Sequence, residues 1–486
     1  MATPCQWSRR QFLGAAGAAA ATAIAGSQSR GRSEEAPAPG APPVPASPLD
    51  RVTIDESTIV GKAGFYRVGK SRQGRWWLLR PDGRPFLHRG LCAMGAVQPP
   101  QRTDAAPAEN KQDQAGPDPN QYTLGLLAQL GFNAFGAWVG SALWDRGWPY
   151  AVLIHVRKAT GKKWTVMPPK HIDIFDPAWR AAYDGVCKQT CTPLAEKTDL
   201  LGYFVDNEAS WAQARADHVF GQQGPMVDRN ILGKEPLLLQ YFLALDPGRG
   251  GHRAAWDFVL ARHGGSAAQV ARDWGAAFDS PAKLIEMHGQ GLVLDSKAFA
   301  ADQDAFTAHF TREYFRITAE TIRRYDPNHL LLGCRHGGPP GEAVLTAYDR
   351  RHVDVLSMNN YRPNFRGRIE EYYRHAKMPI LNGEYSWAAF GMAWDRFTAG
   401  DQFSEKQMAE QRRLGIAGLE GAFTHPGLVG YTFYKGSDAG RRGPEQPSWG
   451  VVNAQGQLNN WNASLLRQSH PRLEGIACGE IAPAKA

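Results

Sequence analysis

The sequence predicts an α/β protein of the (β/α)8 class, the TIM barrel, with an N-terminal hairpin and a long insertion after the fourth strand. From residue 50 onward, short β-rich runs alternate with longer helical stretches, which indicates a parallel sheet. Eight such runs fit a chain of 486 residues, 43% of them hydrophobic. No glycine-rich dinucleotide loop follows an early strand, which disfavours the alternative, a doubly wound open sheet.

The N-terminus is predicted to be an export signal. Ser8-Arg9-Arg10-Gln11-Phe12-Leu13 matches the twin-arginine pattern, and the apolar run from Gly14 to Gly26 ends near the A-x-A site Ala23-Ile24-Ala25. The run is shorter than the roughly 20 residues that span a bilayer. We therefore expect a signal peptide over residues 1–25 and a periplasmic or secreted mature protein without stable membrane insertion. A short membrane-anchoring helix is the alternative.

Composition divides the rest of the chain and limits its partners. Residues 26–50 are rich in Pro and Ala and are expected to form a disordered tether, followed by the barrel over 51–475 and a tail over 476–486. The net charge is +8, but the basic residues after the signal are scattered. We therefore expect no nucleic-acid partner and interpret the charge mainly as solvated surface, with an anionic substrate as the alternative.

Five cysteines follow the signal, and an odd number cannot all pair within one chain: Cys92, Cys187, Cys191, Cys334 and Cys478. We expect them to stay free. Cys187 and Cys191 share one helix face, but no further ligands stand at zinc spacing. Neither a metal site nor a cofactor is predicted.

The predicted barrel consists of a hairpin, eight strands and the helices between them. The hairpin from Phe65 to Pro85 turns at Pro81-Asp82-Gly83-Arg84 and is expected to close the barrel bottom. Eight strands are predicted, at Phe86–Met94, Ala134–Ala137, Ala151–Val156, Leu201–Val205, Leu330–Cys334, Val353–Met358, Met378–Gly383 and Leu428–Phe433. Helices are predicted between most of them, at Gln121–Leu130, Ala178–Lys197, Ala305–Tyr325 and Lys406–Ala422. The insertion over about 209–300 would form a wall over the site or a scaffold elaboration.

Two carboxylates stand at strand ends, where the functional residues of this fold class gather. The fourth strand runs into Asp206-Asn207-Glu208, and the seventh ends in Glu384. Glycoside hydrolysis needs such a pair, about 5–5.5 Å apart in a retaining enzyme. We therefore predict Glu208 as general acid/base, its pKa raised by the second carboxylate, and Glu384 as nucleophile. Surface carboxylates in loops are the alternative.

Further residues near strand ends are predicted to contact the substrate: Asn207, Trp138, Arg335, His336, Asn360, Tyr361, Trp387, Phe433, Lys435 and Trp449. Asn207 would hydrogen-bond a sugar 2-hydroxyl, Tyr361 would donate to Glu384, and Trp387 would stack on a pyranose ring. Core packing is the alternative for Trp449, and a structural ion pair is the alternative for Arg335. Lys435 suggests an acidic or sulfated sugar.

At these residues the sequence resembles clan A of the glycoside hydrolases, and within it the family 50 β-agarases. The resemblance rests on the motifs Gly74-Arg75-Trp76-Trp77-Leu78, Leu130-Gly131-Phe132-Asn133, Asp173-Ile174-Phe175-Asp176-Pro177, Gly202-Tyr203-Phe204-Val205-Asp206-Asn207-Glu208, Tyr325-Asp326-Pro327-Asn328-His329 and Asn382-Gly383-Glu384-Tyr385. It implies a retaining enzyme for β-galactosidic links of agar-type galactans, with the family's roles on Asn207, Glu208, Tyr361 and Glu384. It also implies a Trp on strand eight, where this chain has Tyr431-Thr432-Phe433-Tyr434-Lys435.

Two other functions fit the same residues. One is an enzyme of the same clan with another substrate, namely a β-galactosidase, β-mannanase or β-glucanase, because specificity lies in loops rather than strands. The other is a non-catalytic carbohydrate-binding barrel. Two retained carboxylates disfavour it, since a protein that only binds sugar needs neither.

Overall fold

The computed structural model describes residues 47–99, 118–156, 165–166, 171–209, 211, 236–388, 390, 402–438, 440, 442–453 and 455–485. The predicted signal peptide and the predicted tether up to residue 46 lie outside these residues, as does much of the predicted insertion, at 210 and 212–235.

The fold begins before the predicted boundary at residue 51. Pro48–Arg51 form a 3-10 helix in which Leu49 is buried, and the Ser47 hydroxyl donates to Glu474 at 2.9 Å. The tether expected up to residue 50 is therefore too long by four residues, because the apolar side chain of Leu49 packs into the core.

A small antiparallel sheet follows the 3-10 helix, and its strands lie in the order β1 Ile54–Val60, β2 Arg67–Ser71, β3 Trp76–Leu79 and β4 Pro85–Phe86. The predicted hairpin turn joins β3 to β4. Gly83 adopts φ 93°, a left-handed conformation that glycine takes without steric cost, and its N–H donates to Arg80 O at 2.9 Å. Phe86 belongs to this hairpin and not to the first barrel strand.

The small sheet is fastened to the start of the eighth predicted strand. The buried Arg75 donates from its two terminal nitrogens to His425 O and Leu428 O, both at 2.9 Å. The Trp76 N–H donates to Pro426 O at 2.8 Å. Because parallel strands begin at one end of a sheet, the small sheet lies at the end opposite the strands' carboxyl termini.

The remaining main strands are parallel, and their bounds are β5 His88–Cys92, β6 Ala134–Phe135, β7 Tyr150–Leu153, β10 Leu200–Phe204, β11 Asp206–Asn207, β12 Leu330–Leu331, β13 Cys334–His336, β14 Leu356–Asn360, β15 Ile380–Tyr385 and β16 Leu428–Tyr434. They form a seven-stranded sheet in the order β11-β13-β14-β15-β16-β5-β6 and a three-stranded sheet in the order β12-β10-β7. Two short strand pairs complete the sheets: β8 Thr165–Val166 with β9 His171–Ile172, and β17 Ser437–Asp438 with β18 Val452–Asn453.

The two parallel sheets share the fourth and fifth predicted strands, each of which is split in two. The fourth is interrupted at Val205, whose N–H donates to Gly333 O at 3.0 Å, and the fifth at Leu332, whose N–H donates to Tyr203 O at 2.8 Å. At the other side, the Phe135 N–H donates to Pro149 O, the residue before β7, at 2.7 Å. The result is a curled parallel sheet within a mixed α/β fold.

Helices follow the strands with bounds α1 Pro119–Gln129, α2 Pro177–Cys191, α3 Leu238–Leu243, α4 Gly250–Arg262, α5 Ala267–Trp274, α6 Pro281–Gly289, α7 Lys297–Tyr325, α8 Glu342–Leu345, α9 Phe365–Ala376, α10 Glu405–Ala422, α11 Asn460–Ser469 and α12 Leu473–Ala477. α7 starts eight residues earlier than the sequence predicts, because Ser296 caps it by accepting from the Phe299 N–H. The connection 136–149 contains only the 3-10 helix Ser141–Leu143.

Two groups of buried apolar residues form the core. The inner group combines side chains of the small sheet, such as Trp76 and Phe86, with residues of the parallel strands, such as Ala151, Leu201 and Val429. The larger outer group lies between the parallel strands and the helices. All five cysteines in the described part of the chain are free, and four of them are buried.

Candidate active site

The two predicted carboxylates lie at the carboxyl ends of their strands. Glu208 directly follows β11, and Glu384 lies near the end of β15. Glu208 has φ 49°, a left-handed conformation that residues other than glycine rarely adopt and that recurs at functional sites. Its N–H donates to Arg335 O at 2.8 Å, and its carboxylate Oε1 accepts from Asn359 Nδ2 at 3.0 Å.

Glu384 is only 4% exposed and is held by two donors. Arg335 Nη2 lies 3.0 Å from its Oε1, and the Tyr361 hydroxyl donates to its Oε2. The expected contact from Tyr361 to Glu384 is thus present in the structure. A cation on one oxygen and a hydroxyl donor on the other both favour the ionised carboxylate.

Arg335 connects several parts of the site. Its side chain is fully buried, donates from Nη1 to Asn207 Oδ1 at 2.9 Å, and donates from Nη2 to Gly383 O at 2.6 Å. A Cβ atom at residue 383 would lie 2.7 Å from Arg335 Nε, so this position requires glycine. Arg335 therefore lies beneath the site as an ion-pair partner of Glu384, the alternative that the sequence left open.

Burial has the largest effect on the pKa of Glu384 and raises it to about 7. The Arg335 cation opposes this effect, the Glu208 carboxylate adds to it, and the hydrogen bond from Tyr361 opposes it. The pKa of Tyr361 lies well above 10, first through burial and then through the nearby Glu384 charge. Tyr361 therefore keeps its proton and remains a donor near neutral pH.

Three aromatic residues beside Glu384 form what we call the aromatic wall: Tyr361, Tyr434 and Trp449. The Tyr361 ring meets the Trp449 ring edge-on at a centroid distance of 5.5 Å and the Tyr434 ring at 6.1 Å. Tyr434 and Trp449 meet edge-on at 5.7 Å. Burial raises the pKa of the Tyr434 hydroxyl above its usual value, and the Glu384 charge adds to this.

Trp138 and Lys435 lie at the edge of the site. Trp138 is 42% exposed, and one face of its ring lies 4.4 Å from the guanidinium carbon of Arg335. Such a cation–π contact fixes an indole while its remaining surface faces solvent. Lys435 is half-buried, with its ammonium 5.8 Å from the Tyr434 ring centroid and its N–H donating to Trp449 O at 2.8 Å.

His336 and Asn360 were predicted to contact substrate, but the structure does not bring them to the carboxylates. Side chains alternate along a strand, so His336 points opposite to Arg335. It is buried, its Nε2 lies 2.6 Å from the Tyr348 hydroxyl, and burial lowers its pKa to about 3. The Asn360 amide donates to Arg362 O at 3.0 Å and stabilises its own turn.

Phe433 and Trp387 were also predicted to contact substrate, and both are fully buried in the outer core. Their rings pack together at a centroid distance of 5.0 Å. The Trp387 indole N–H donates to Asn462 Oδ1 at 2.9 Å. Neither ring presents a face on which a pyranose could stack.

Sequence reasoning missed Asn359, Tyr434 and the pair Asp206 and His155. Asn359 contacts Glu208 directly. Asp206 Oδ1 accepts from the Asn207 N–H at 3.0 Å and lies 3.1 Å from His155 Nδ1, so it fixes the segment that leads to Glu208. Asn359 shares a strand face with Val355 of the inner core, but the residues on both faces of this strand are buried, so the sequence does not mark that face.

The described residues form neither a metal-binding cluster nor a membrane-spanning helix. Among them, no group of three or more His, Cys, Asp or Glu side chains is arranged to hold a metal ion. None of the helices in the described ranges combines the length and apolarity that crossing a bilayer requires.

Known proteins resemble this chain both in sequence and in fold. No protein-family model matches the chain. Beta-agarase B from Vibrio sp. (strain JT0107) is 24% identical over 279 residues, which are 55% of this chain and 27% of that protein. The chain thus corresponds to about a quarter of the length of this curated relative.

Several solved structures share the fold of this chain. An exo-beta-agarase superposes with a TM-score of 0.63 at 16% identity, covering 86% of this chain and 66% of that one. The agarase AgWH50C superposes with a TM-score of 0.62 at 17% sequence identity, covering 86% of this chain and 66% of that one. The structure of BpGH50 superposes with a TM-score of 0.57 at 15% sequence identity, covering 90% of both chains. The resemblance that the motifs indicate is thereby confirmed: this chain is related to the β-agarases, and it shares the fold of the family 50 structures.

Proposed function

We propose that this protein is an exported retaining glycoside hydrolase that cleaves β-glycosidic bonds of an agar-type galactan by double displacement. Glu384 is the nucleophile and Glu208 is the general acid/base. The observation that carries this assignment is the pair of donors on Glu384. Glu384 has a buried cation and a phenol hydroxyl, which both favour its ionised form, and Asn359 donates to Glu208.

These contacts suit the two roles. A nucleophile must be ionised when the substrate binds, and the Arg335 cation stabilises that state. A general acid must carry a proton in one step and release it in the next, and a neutral amide tolerates both states. Asn207 accepts hydrogen bonds at Oδ1 from Arg335 and Asn359, so its amide nitrogen is oriented for a sugar hydroxyl.

In the first step, a carboxylate oxygen of Glu384 forms a bond to the anomeric carbon while the glycosidic C–O bond breaks. Glu208 transfers its proton to the leaving oxygen, so the first product departs as an alcohol. In the second step, Glu208 takes a proton from water, whose oxygen attacks the anomeric carbon and releases Glu384. Configuration at the anomeric carbon is inverted twice and therefore retained.

The barrel architecture and the export of the protein belong to the same proposal. The hydrogen bonds at Val205, Leu332 and Phe135 support a closed (β/α)8 barrel that ends near residue 475, with the strand ends at its mouth. The insertion over about 209–300 is proposed to interrupt this barrel after the fourth strand, as a wall over the site or a scaffold elaboration. The twin-arginine pattern in residues 8–13 supports a signal peptide over 1–25 and export to the periplasm or beyond.

The substrate class rests on the relatives, which are named agarases. Hydrolysis of agarose by the purified protein, followed by proton NMR of the freshly released anomers, tests both substrate and stereochemistry. Initial release of the β-anomer is expected, and initial release of the α-anomer contradicts double displacement. A galactan, mannan and glucan panel tests the alternative substrates. Labelling of a residue other than Glu384 by a fluorosugar inhibitor contradicts the nucleophile assignment.

A further inference from the structure

Trp449 of the aromatic wall stands on a loop whose backbone is fixed on both sides. The loop connects β17 to β18, and Trp449 lies between Ser448 and Gly450. Both flanking residues are buried, whereas Trp449 is half-buried and lies against Tyr361, the donor to Glu384. The position of its ring therefore depends on what holds its two neighbours.

Asp438 holds the polar hydrogens of both neighbours. Its Oδ2 accepts from the Ser448 hydroxyl and from the Gly450 N–H, the latter at 2.7 Å. Its Oδ1 accepts from the Gly440 N–H at 2.8 Å, which fixes the orientation of the carboxylate. A Cβ atom at residue 450 would lie 2.9 Å from Asp438 Cγ, so this close approach requires glycine.

Asn462 holds the carbonyls of the same two neighbours. Its Nδ2 donates to Ser448 O at 2.9 Å and to Gly450 O at 2.8 Å, and the side chain is fully buried on α11. Its Oδ1 accepts from the Trp387 indole at 2.9 Å, which fixes the orientation of the amide. Trp387 therefore reaches the site indirectly, through Asn462.

We propose that Asn462 and Asp438 are positioning residues that present Trp449 as a stacking platform for the apolar face of a pyranose ring beside Glu384. The inference rests on the proposed function and adds the residues that determine binding at this subsite. Four hydrogen bonds to the residues on either side of Trp449 fix its backbone before substrate arrives. A pre-ordered platform binds more tightly because little conformational freedom is lost on binding.

Asn462→Asp is the sharpest perturbation. It keeps the acceptor for Trp387 but turns an oxygen toward the carbonyls of Ser448 and Gly450. With an agarose-derived hexasaccharide, losing these two bonds should raise KM about tenfold and leave kcat within about twofold. Asn459→Asp is the matched control, because this buried Asn caps the same helix and bonds Gln446 O instead. Its KM should equal that of the wild type.

A double-mutant cycle separates positioning from general stability. If Asn462 acts through Trp449, Asn462→Asp adds nothing to the KM of Trp449→Ala. Additive effects on KM would overturn the proposal. Should Asn462→Asp fold poorly, Trp387→Phe serves in the same cycle, because it removes the N–H that orients Asn462 without placing a charge in the core.

An activity-independent readout separates this inference from the proposed function. With 5-fluorotryptophan incorporated, the fluorine resonance of Trp449 is assigned by its loss in Trp449→Phe. Asn462→Asp and Asp438→Asn should both shift this resonance, and Asn459→Asp should not. An unmoved resonance in Asn462→Asp refutes the positioning role. Failure of the wild type to hydrolyse agarose refutes only the proposed substrate.

Discussion

The hydroxyl of Tyr361 donates to the carboxylate of Glu384, and Tyr361→Phe removes this donor while keeping the ring. The ring retains its edge-on contacts with Tyr434 and Trp449, and Arg335 still pairs with Glu384. The substitution therefore tests the hydrogen bond from this hydroxyl to the ionised nucleophile. Without it, the charged form of Glu384 loses stabilisation and its pKa rises.

The size of the shift follows from the strength of that bond. A hydrogen bond to a charged group contributes about 1.5–3 kcal/mol, and one pKa unit corresponds to about 1.36 kcal/mol. From the wild-type pKa of about 7, the variant should reach about 8 to 9. Near pH 7 the ionised fraction, and with it kcat/KM, should fall roughly 5- to 50-fold.

The assay is a pH profile of kcat/KM on a dinitrophenyl glycoside of an agar disaccharide, whose leaving group needs no acid. Activity should rise with pH through about 7 in the wild type and through a higher pH in Tyr361→Phe, reaching a similar plateau. Tyr348→Phe is the control, because it removes a buried hydroxyl that contacts His336 instead. An acidic limb that stays in place in Tyr361→Phe would refute the reasoning.

Three further predictions concern other groups. Glu208→Gln should move the acidic limb of the same profile to lower pH, since the Glu208 charge raises the pKa of Glu384; a limb at unchanged pH contradicts this coupling. Burial lowers the pKa of His263, but its hydrogen bonds to the two carboxylates beside it outweigh this effect and raise the pKa in the folded state. Its stabilising contribution is therefore complete below about pH 6.5 and is lost as pH rises through the folded pKa. The loss of Tm in His263→Gln should therefore be larger at about pH 5.5 than at about pH 9, and equal losses would count against it. Gly202→Ala should lower the free energy of unfolding by about 2–3 kcal/mol in urea titrations, because a Cβ there would lie 2.1 Å from Leu330 O; a wild-type midpoint would disprove the clash.

The strand ends could be predicted from the sequence because they are local signals. An apolar β-rich run followed by a polar residue marks the end of a buried strand, and Glu208 and Glu384 stand at such ends. The helix signals were local as well, since α2 begins at Pro177 after the capping residue Asp176. Their roles in catalysis stay predictions.

The direction of each side chain could not be predicted in the same way. Both faces of the parallel strand β14 are buried, so Val355 and Leu356 are both apolar, and the alternation that would identify the inner face is lost. The pairing of β14 with β15 also shifts register after Met358. Asn360 was therefore chosen where Asn359 makes the contact with Glu208.

Contacts between distant parts of the chain explain the remaining differences. Trp387 turns into the core, where its indole N–H donates to Asn462, 75 residues later, and no local pattern carries that information. Similarly, the wall residue Trp449 comes from a loop beyond β16, while the strand-end Phe433 turns into the outer core.

The fastening of the small sheet to β16 has a consequence for biosynthesis. Arg75 leaves the ribosome early, whereas its acceptors His425 and Leu428 are made some 350 residues later. Closing so long a loop is slow, and until it closes the guanidinium and the apolar rings beside it lack their native partners. A nascent chain halted before residue 425 therefore exposes this surface and is expected to be a target for chaperones or proteolysis instead of a partly active enzyme.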